Sequence, residues 1–196
     1  MPQFTLLQRV KDRLEIAEAT VTWDTMLTRA IEHYSARFDR ECHRQFERRA
    51  GAEQVFRADQ TVLVLEHYPV EVVSKFEMRY SEGAVWQEII MPDYVVTGES
   101  TLELVRPQGT AQGRLRVTYT GGYALPALVM PIGPKPLPDD LEGACLEQVA
   151  WWYQNRATAG VQSFGPVGGA ATRFADVDLL PSVKAVLKRH QRMIFT

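Results

Sequence analysis

Residues 113–156 read GRLRVTYTGGYALPALVMPIGPKPLPDDLEGACLEQVAWWYQNR, and within them the chain changes character twice. Leu115, Val117 and Tyr119 alternate with polar residues at the period of a strand. Residues 124–140 then carry Pro126, Pro131, Pro134, Pro136 and Pro138, a density that forbids helix and favours an extended, stiff connector across the surface. Beyond it Leu141, Cys145, Val149 and Trp152 recur at helical spacing, with Trp151 and Tyr153 flanking and Asp139 or Asp140 placed to cap. Sheet first, proline segment next and helix last imply an α+β chain.

Working outward, the N-terminal side supplies two further helices. Phe4, Leu7, Val10 and Leu14, with Ile16 close behind, predict a short amphipathic helix interrupted by Arg9, Lys11 and Arg13. Asp24 is a good N-cap for a longer one, whose Leu27, Ile31, Tyr34, Phe38 and Cys42 stack on one face and which ends before Gly51. Between Glu53 and Tyr119 the period is two, as in TVLVLEHYPVEVVSKFEMRY, VWQEIIMPDYVVT and STLELV, predicting antiparallel strands. Ser81-Glu82-Gly83 and Thr97-Gly98-Glu99-Ser100 read as hairpin connections, and Pro69 as a break between strands. On the C-terminal side Gly160 ends the aromatic helix and residues 160–180 are glycine-rich and loop-like. Pro181 opens a last helix, in which Val183, Val186, Leu187 and His190 face inward. The expected organisation is therefore a helical bundle from residues 1–50 and 139–196, an inserted antiparallel β domain at 53–120, a proline-rich linker at 121–138 and a flexible loop at 160–180.

Composition bounds the function. The chain has 196 residues, 45% hydrophobic and 23% charged, with net charge −2, which is ordinary globular composition and long enough to bury roughly 70% of the unfolded surface. No apolar run approaches the roughly 20 residues of a membrane span, and no signal peptide is read at the N-terminus. The two cysteines, Cys42 and Cys145, are expected as buried reduced thiols. Cys42 beside His43 lacks a second pair at metal-ligand spacing, and none of His33, His43, His67 and His190 forms an i, i+4 pair with a helical Glu. VQSFG around Ser163 has Val161 where a nucleophile elbow needs Gly, and GPVGGAAT lacks the lysine of a phosphate-binding loop. No catalytic residue, metal or cofactor is expected.

Charge patterning is more informative. Arg37, Arg40, Arg44 and Arg48 fall three and four residues apart, as one stripe of the second helix about a quarter turn from its apolar face. A solvated face with Glu41 and Glu47 as local partners competes with a subunit contact or a phosphate-facing stripe. Lys184, Lys188 and Arg192 make a second basic stripe on the last helix, where the helix dipole also favours cations.

Three segments resemble the head-to-tail adaptor (connector, head-completion) proteins of tailed bacteriophages. LLQRVKDRLEI followed by DTMLTRAIEHYSARFDRECHRQF is similar to that family's paired N-terminal helices, ending in a Cys-x-Arg-x-Phe-like segment at Cys42, Arg44 and Phe46. LRVTYTGGYALP resembles the strand and Gly-Tyr turn before its last helices. LPDDLEGACLEQVAWWYQNR with LLPSVKAVLKRHQRM resembles its aromatic helix and its Leu-Pro-initiated terminal helix. The β domain departs from the smallest members, which carry little more than a hairpin. The resemblance implies a structural virion protein without enzymatic activity at the head-tail junction, assembled in the bacterial host cytoplasm. It implies a dodecameric ring beneath the portal protein that extends the channel for passing double-stranded DNA, without sequence specificity or membrane contact, and that receives a stopper or tail-completion protein. On this reading Arg37, Arg40, Arg44 and Arg48 are candidate subunit or DNA-channel contacts. Phe164, Arg173, Phe174, Lys184, Lys188 and Arg192 are candidates for portal docking. The competing readings are a stopper or tail-completion protein, a non-viral α+β binding module, and a hydrolase using carboxylates of the β domain.

Overall fold

A computed structural model describes residues 2–81, 83–129, 132–156, 163–164, 172–173 and 179–192. The chain is an α+β fold dividing into two compact units, one of Met1–Cys42, Pro126–Leu128 and Leu137–Thr196, the other of His43–Leu125 and Val129–Pro136.

The first unit holds helices α1 (Leu7–Arg13), α2 (Asp24–Glu41), α3 (Asp139–Asn155) and α4 (Pro181–His190), with α3 contacting the other three. Its core is the set of apolar stripes: Leu27, Ile31, Phe38 and Cys42 from the α2 segment, Leu141, Cys145 and Val149 from α3, Val183 and Leu187 from α4, and Phe4 and Val10 from the N-terminal segment. Phe4 meets Phe38 edge-on at 6.1 Å. Val186 and His190, expected inside, are half-buried, because a ten-residue helix on the bundle surface needs only the Val183–Leu187 seam. Fully buried Gln148 accepts the Leu180 N–H at 2.9 Å and so anchors the start of α4. A two-stranded ladder, β8 (Ser163–Phe164) with β9 (Thr172–Arg173), lies between α3 and α4 in sequence. Gly160, Phe174 and most of the expected loop at 160–180 lie outside the described residues.

Lys11, one of the charges that interrupt the apolar positions of α1, is buried. It is 2% exposed, its ammonium donates to the carbonyls of Glu18 (2.7 Å) and Thr20 (2.8 Å), and it pairs with Asp24 at 3.0 Å. Asp24 is accordingly the first helical residue after Trp23, not the cap. Asp139 and Asp140 likewise sit in the first turn of α3 after Pro138, where the helix dipole favours carboxylates, and Asp140 faces His190 Nε2 at 3.0 Å.

The second unit holds strands β1 (Arg49–Arg57), β2 (Val62–Val64), β3 (Val70–Arg79), β4 (Gln87–Glu88), β5 (Tyr94–Thr97), β6 (Thr101–Leu104) and β7 (Arg114–Gly121). They make two antiparallel sheets, ordered β1-β7-β3-β4 and β2-β6-β5. Inward residues of both sheets share one core containing Leu63, Leu65, Phe76, Leu102, Leu115, Val117 and Tyr119. Strand β7 alternates as its sequence requires, Leu115, Val117 and Tyr119 buried and Arg114, Arg116 and Thr118 on the other face. The Thr97–Ser100 connection is the β5–β6 hairpin turn, with Gly98 and Glu99 at φ 58° and 62°.

Two expectations change. Helix α2 ends at Glu41, because His43 takes a left-handed conformation (φ 52°) and the chain then pairs as single bridges, Gln45 with His67 and Glu47 with Tyr123, before entering β1. Of the arginine stripe only Arg37 and Arg40 are therefore helical. The proline segment does not run as an extended connector. Ala124 donates to the Lys135 carbonyl at 2.9 Å and bridges Pro136, so the segment returns on itself as a loop closed at its base.

Candidate functional site

Several arginines of the second unit are bound into its own structure. Arg44, 4% exposed, has its Cζ 3.2 Å from the Tyr68 ring centroid and 4.3 Å from that of Phe46, with Tyr123 at 5.5 Å, and it donates to the Tyr68 carbonyl. Phe46 and Tyr123 are themselves stacked at 6.4 Å. A planar guanidinium suits this cage because it stacks on aromatic faces while its edge donates hydrogen bonds. Arg48 makes a two-pronged pair with Glu71, both contacts 2.8 Å, and this holds the Glu71 carboxyl below its ordinary value. Neither residue continues the α2 stripe.

On the outward face of the four-stranded sheet, cross-strand neighbours Glu77 of β3 and Arg116 of β7 are joined at 2.8 and 2.6 Å. Arg116 also reaches Glu53 of β1 at 3.3 Å, and Arg79 and Arg116 both lie over the Trp86 ring. Lys75, hydrogen-bonded at 2.9 Å, and the Arg116 guanidinium hold the Glu77 carboxyl below its ordinary value. A carboxyl depressed in the folded state stabilises the fold above its unfolded pKa and loses that contribution as pH falls through the folded pKa. Acidification from about pH 5 to about pH 3 is thus expected to lower wild-type stability more than that of Glu77→Gln, in urea titrations across that range. Parallel pH dependence of the two proteins would refute this.

A polar recess of ≈ 550 Å³ lies at the bridges before β1, lined by Gln45, Glu47, Arg48, Arg49, Glu66 and His67. Burial pushes the His67 imidazole down, and its Nδ1 is 3.0 Å from the Glu47 carbonyl. These residues can hydrogen-bond, but they bring no nucleophile to an acid or base. Among the described residues no three His, Cys, Asp or Glu side chains gather as a metal-holding group. Both thiols are buried and unbonded to one another, and burial lifts Cys145 to about 12, away from nucleophilic use. No described helix is long and apolar enough to cross a membrane.

The helical unit presents the other expected residues. Arg37 pairs with Glu41 at 2.8 Å across one helical turn, and Arg40 is exposed. Lys184 and Lys188 are exposed one turn apart on α4. Arg192 leaves their stripe because the helix stops at His190 and the backbone extends at Gln191. Its N–H donates to the Cys42 carbonyl at 2.9 Å, and the Gln191 side chain donates to the Glu41 carbonyl at 3.0 Å. Phe164 and Arg173 fall in the β8–β9 ladder, out of register by one residue, since Phe164 pairs with Thr172 and Ser163 with Arg173.

A family model for "Head completion protein" matches residues 3–193. The chain belongs to the head completion protein family. No curated protein matches it significantly in sequence. Among solved structures, this family member is similar to a chain from the virion of a native gene transfer agent particle, at 17% identity and TM-score 0.61, covering 97% of this chain and 90% of that one. It is also similar to a chain from the neck of an empty gene transfer agent particle computed with C6 symmetry, at 14% identity and TM-score 0.60, with the same coverage. At such identities the likeness is one of fold, extending over nearly the whole head completion chain.

Proposed function

We propose that the chain is a head-tail adaptor: a structural protein of a phage-like virion that forms a ring beneath the portal, extends the DNA channel and connects the capsid to a stopper or tail-completion protein. The observation that carries this reading is the family match over residues 3–193. The fold shared with a neck component supports it, and the sixfold symmetry used for that neck suits a ring of six or twelve copies, of which twelve is the proposal. The protein performs no chemistry on this reading and assembles in the bacterial host cytoplasm before taking its place at the head-tail junction.

Exposed Arg40, with Arg37 beside it, is the remaining candidate of the arginine set for a subunit or channel contact, since Arg44 and Arg48 are engaged within their own unit. Lys184 and Lys188, together with Phe164, Arg173, Phe174 and Arg192, are proposed for portal docking. Truncation before Pro181 would uncover the core that Val183 and Leu187 fill, so charge reversal is the cleaner probe. Lys184→Glu/Lys188→Glu is expected to weaken binding to portal roughly tenfold or more, at about the scale of a charge contact reversed at an interface. Binding is read by sedimentation, and electron microscopy of the wild type mixed with portal is expected to show closed rings. Unchanged affinity would remove the docking assignment, and the absence of rings would remove the adaptor reading.

A further inference from the structure

Resting on the adaptor reading above, we propose that a row of arginines across the outward face of the four-stranded sheet, Arg57, Arg114 and Arg79, is a site for the phosphate backbone of the passing duplex DNA. The row follows from strand register. Arg57 of β1 and Arg79 of β3 are both cross-strand partners of Arg114 of β7, which lies between them. Their chain neighbours Phe56, Met78 and Leu115 pack on the core, so the three arginines share the opposite face. Adjacent strands lie about 4.8 Å apart, which sets the three side chains in a line of about 10 Å. Like charges directly opposite one another disfavour a sheet, so the fold taken alone gains nothing from this row.

Elsewhere on the face the cations have carboxylate partners: Arg116 pairs with Glu77 and Glu53, and Lys75 with Glu77 and Glu88. At the row, Asp59 pairs with Arg57 at 2.6 Å. The hydrogen bond from Arg57 holds the Asp59 carboxyl below its ordinary value, and the Arg114 charge adds to this, as expected where cations crowd. Arg114 directs Nη1 to the carbonyls of Ala111, Gln112 and Gly113 at 3.2 to 3.4 Å, so backbone oxygens hold it in place without cancelling its charge. Exposed Arg106 adds a cation from the loop whose Gln108 and Gly109 N–H groups donate to the carbonyl of Ala58, next to Arg57.

Duplex DNA is the occupant because charge is what the row offers. One DNA strand carries a phosphate about every 3.4 Å along the axis, so about 10 Å presents about three, one for each arginine. The planar fork of arginine suits phosphate oxygens. A protein partner is held chiefly by buried aromatic or apolar anchors, whereas the aromatic beside the row, Trp86, has Arg79 and Arg116 over its ring at 4.8 and 4.6 Å. On the adaptor reading the polyanion passes every copy of the chain.

The test follows binding of a fluorescent duplex of mixed sequence to the full chain, by anisotropy, as salt is raised. Three neutralised phosphates predict a slope of log K against log salt of about −2.7, a loss of roughly fortyfold between about 50 and 200 mM. Arg57→Gln alone, at an exposed side chain that folding tolerates, is expected to make the slope shallower by about 0.9. Arg57→Gln/Arg79→Gln/Arg114→Gln is expected to remove the salt dependence, and Arg57→Lys/Arg79→Lys/Arg114→Lys to keep it. Arg13→Gln/Arg29→Gln takes exposed charge from the helical unit instead and is expected to leave the slope unchanged. Absence of duplex binding by the wild type, an unchanged slope in Arg57→Gln, or an equal loss in Arg13→Gln/Arg29→Gln would overturn the inference. Tighter retention of a polyglutamate peptide than of duplex would also overturn it, by giving the row to an acidic protein. Closed rings seen by electron microscopy of wild type with portal, beside any of these results, leave the adaptor reading standing. Failure of the wild type to form rings removes that reading, on which the site rests.

Discussion

Gly122→Ala is expected to destabilise the β unit by about 3 to 5 kcal/mol, the range reached when backbone strain and overpacking coincide. Gly122 has φ +100°, and an added Cβ would stand 2.6 Å from the Glu47 carbonyl oxygen and 2.8 Å from Arg48 Cα. These are backbone atoms held in place by the Glu47–Tyr123 bridge and by the Arg48 N–H to Tyr123 carbonyl bond of 2.8 Å, so no flexible side chain can yield. Gly121→Ala meets the same obstacle, since its Cβ would lie 2.3 Å from the His67 carbonyl oxygen. The control is Gly143→Ala in α3, where nothing lies within 4 Å and the change is expected to be stabilising by roughly 0.5 to 1 kcal/mol. Amide hydrogen exchange of β7 reads the stability of the β unit separately from that of the helical unit. Wild-type protection of β7 in Gly122→Ala would show that the packing of the two glycines against the 47–48 and 67–69 segments is not as described.

Arg44→Ala has the second largest expected effect, a loss of about 2 to 4 kcal/mol through cation–π contact, packing and the hydrogen bond to the Tyr68 carbonyl. The guanidinium fills the space between Tyr68, Phe46 and Tyr123, so truncation leaves both a cavity and stranded aromatic faces. Lysine is expected to recover less than half of the loss, because a compact ammonium cannot lie flat on a ring and donate from its edge together. Urea unfolding of wild type, Arg44→Ala, Arg44→Lys and Arg44→Met checks this. Full stability in Arg44→Met would assign the site to apolar packing, and full stability in Arg44→Ala would dismiss it. Should either substitution abolish portal binding while leaving stability intact, the residue belongs to an interface after all.

Arg44 also shows where sequence reading reaches its limit. Spaced three and four residues from Arg40 and Arg48, it satisfies helical periodicity, and no Gly or Pro announces that the helix has stopped. The stop is made by His43 in a left-handed conformation, which non-glycine residues adopt only when neighbouring structure compensates. The alternation of Arg44 and Phe46 after Cys42 was a signal of the change to extended chain, yet a two-residue alternation is too short to outweigh four arginines in phase. Lys11 is a similar case: lysine is ordinarily solvated, and only the return of the 14–24 segment over α1 supplies the two carbonyls and the carboxylate that bury it.

What the residues could determine without a fold is whatever depends on neighbours close in sequence. Apolar stripes at helical spacing placed the segments of α1, α2, α3 and α4, alternation placed the strands, Pro181 opened α4, and the Gly98-Glu99 turn joined β5 to β6. Three segments resemble the head completion family, and the family match over residues 3–193 shows that the chain belongs to it. Long-range pairing was decided only in three dimensions. Strand β7, last of its unit in sequence, lies between β1 and β3, and the proline segment closes on itself through Ala124 and Lys135. Hydrogen bonds between distant strands and the burial of a charged side chain depend on which surfaces meet, and periodicity, which is local, carries no information on that.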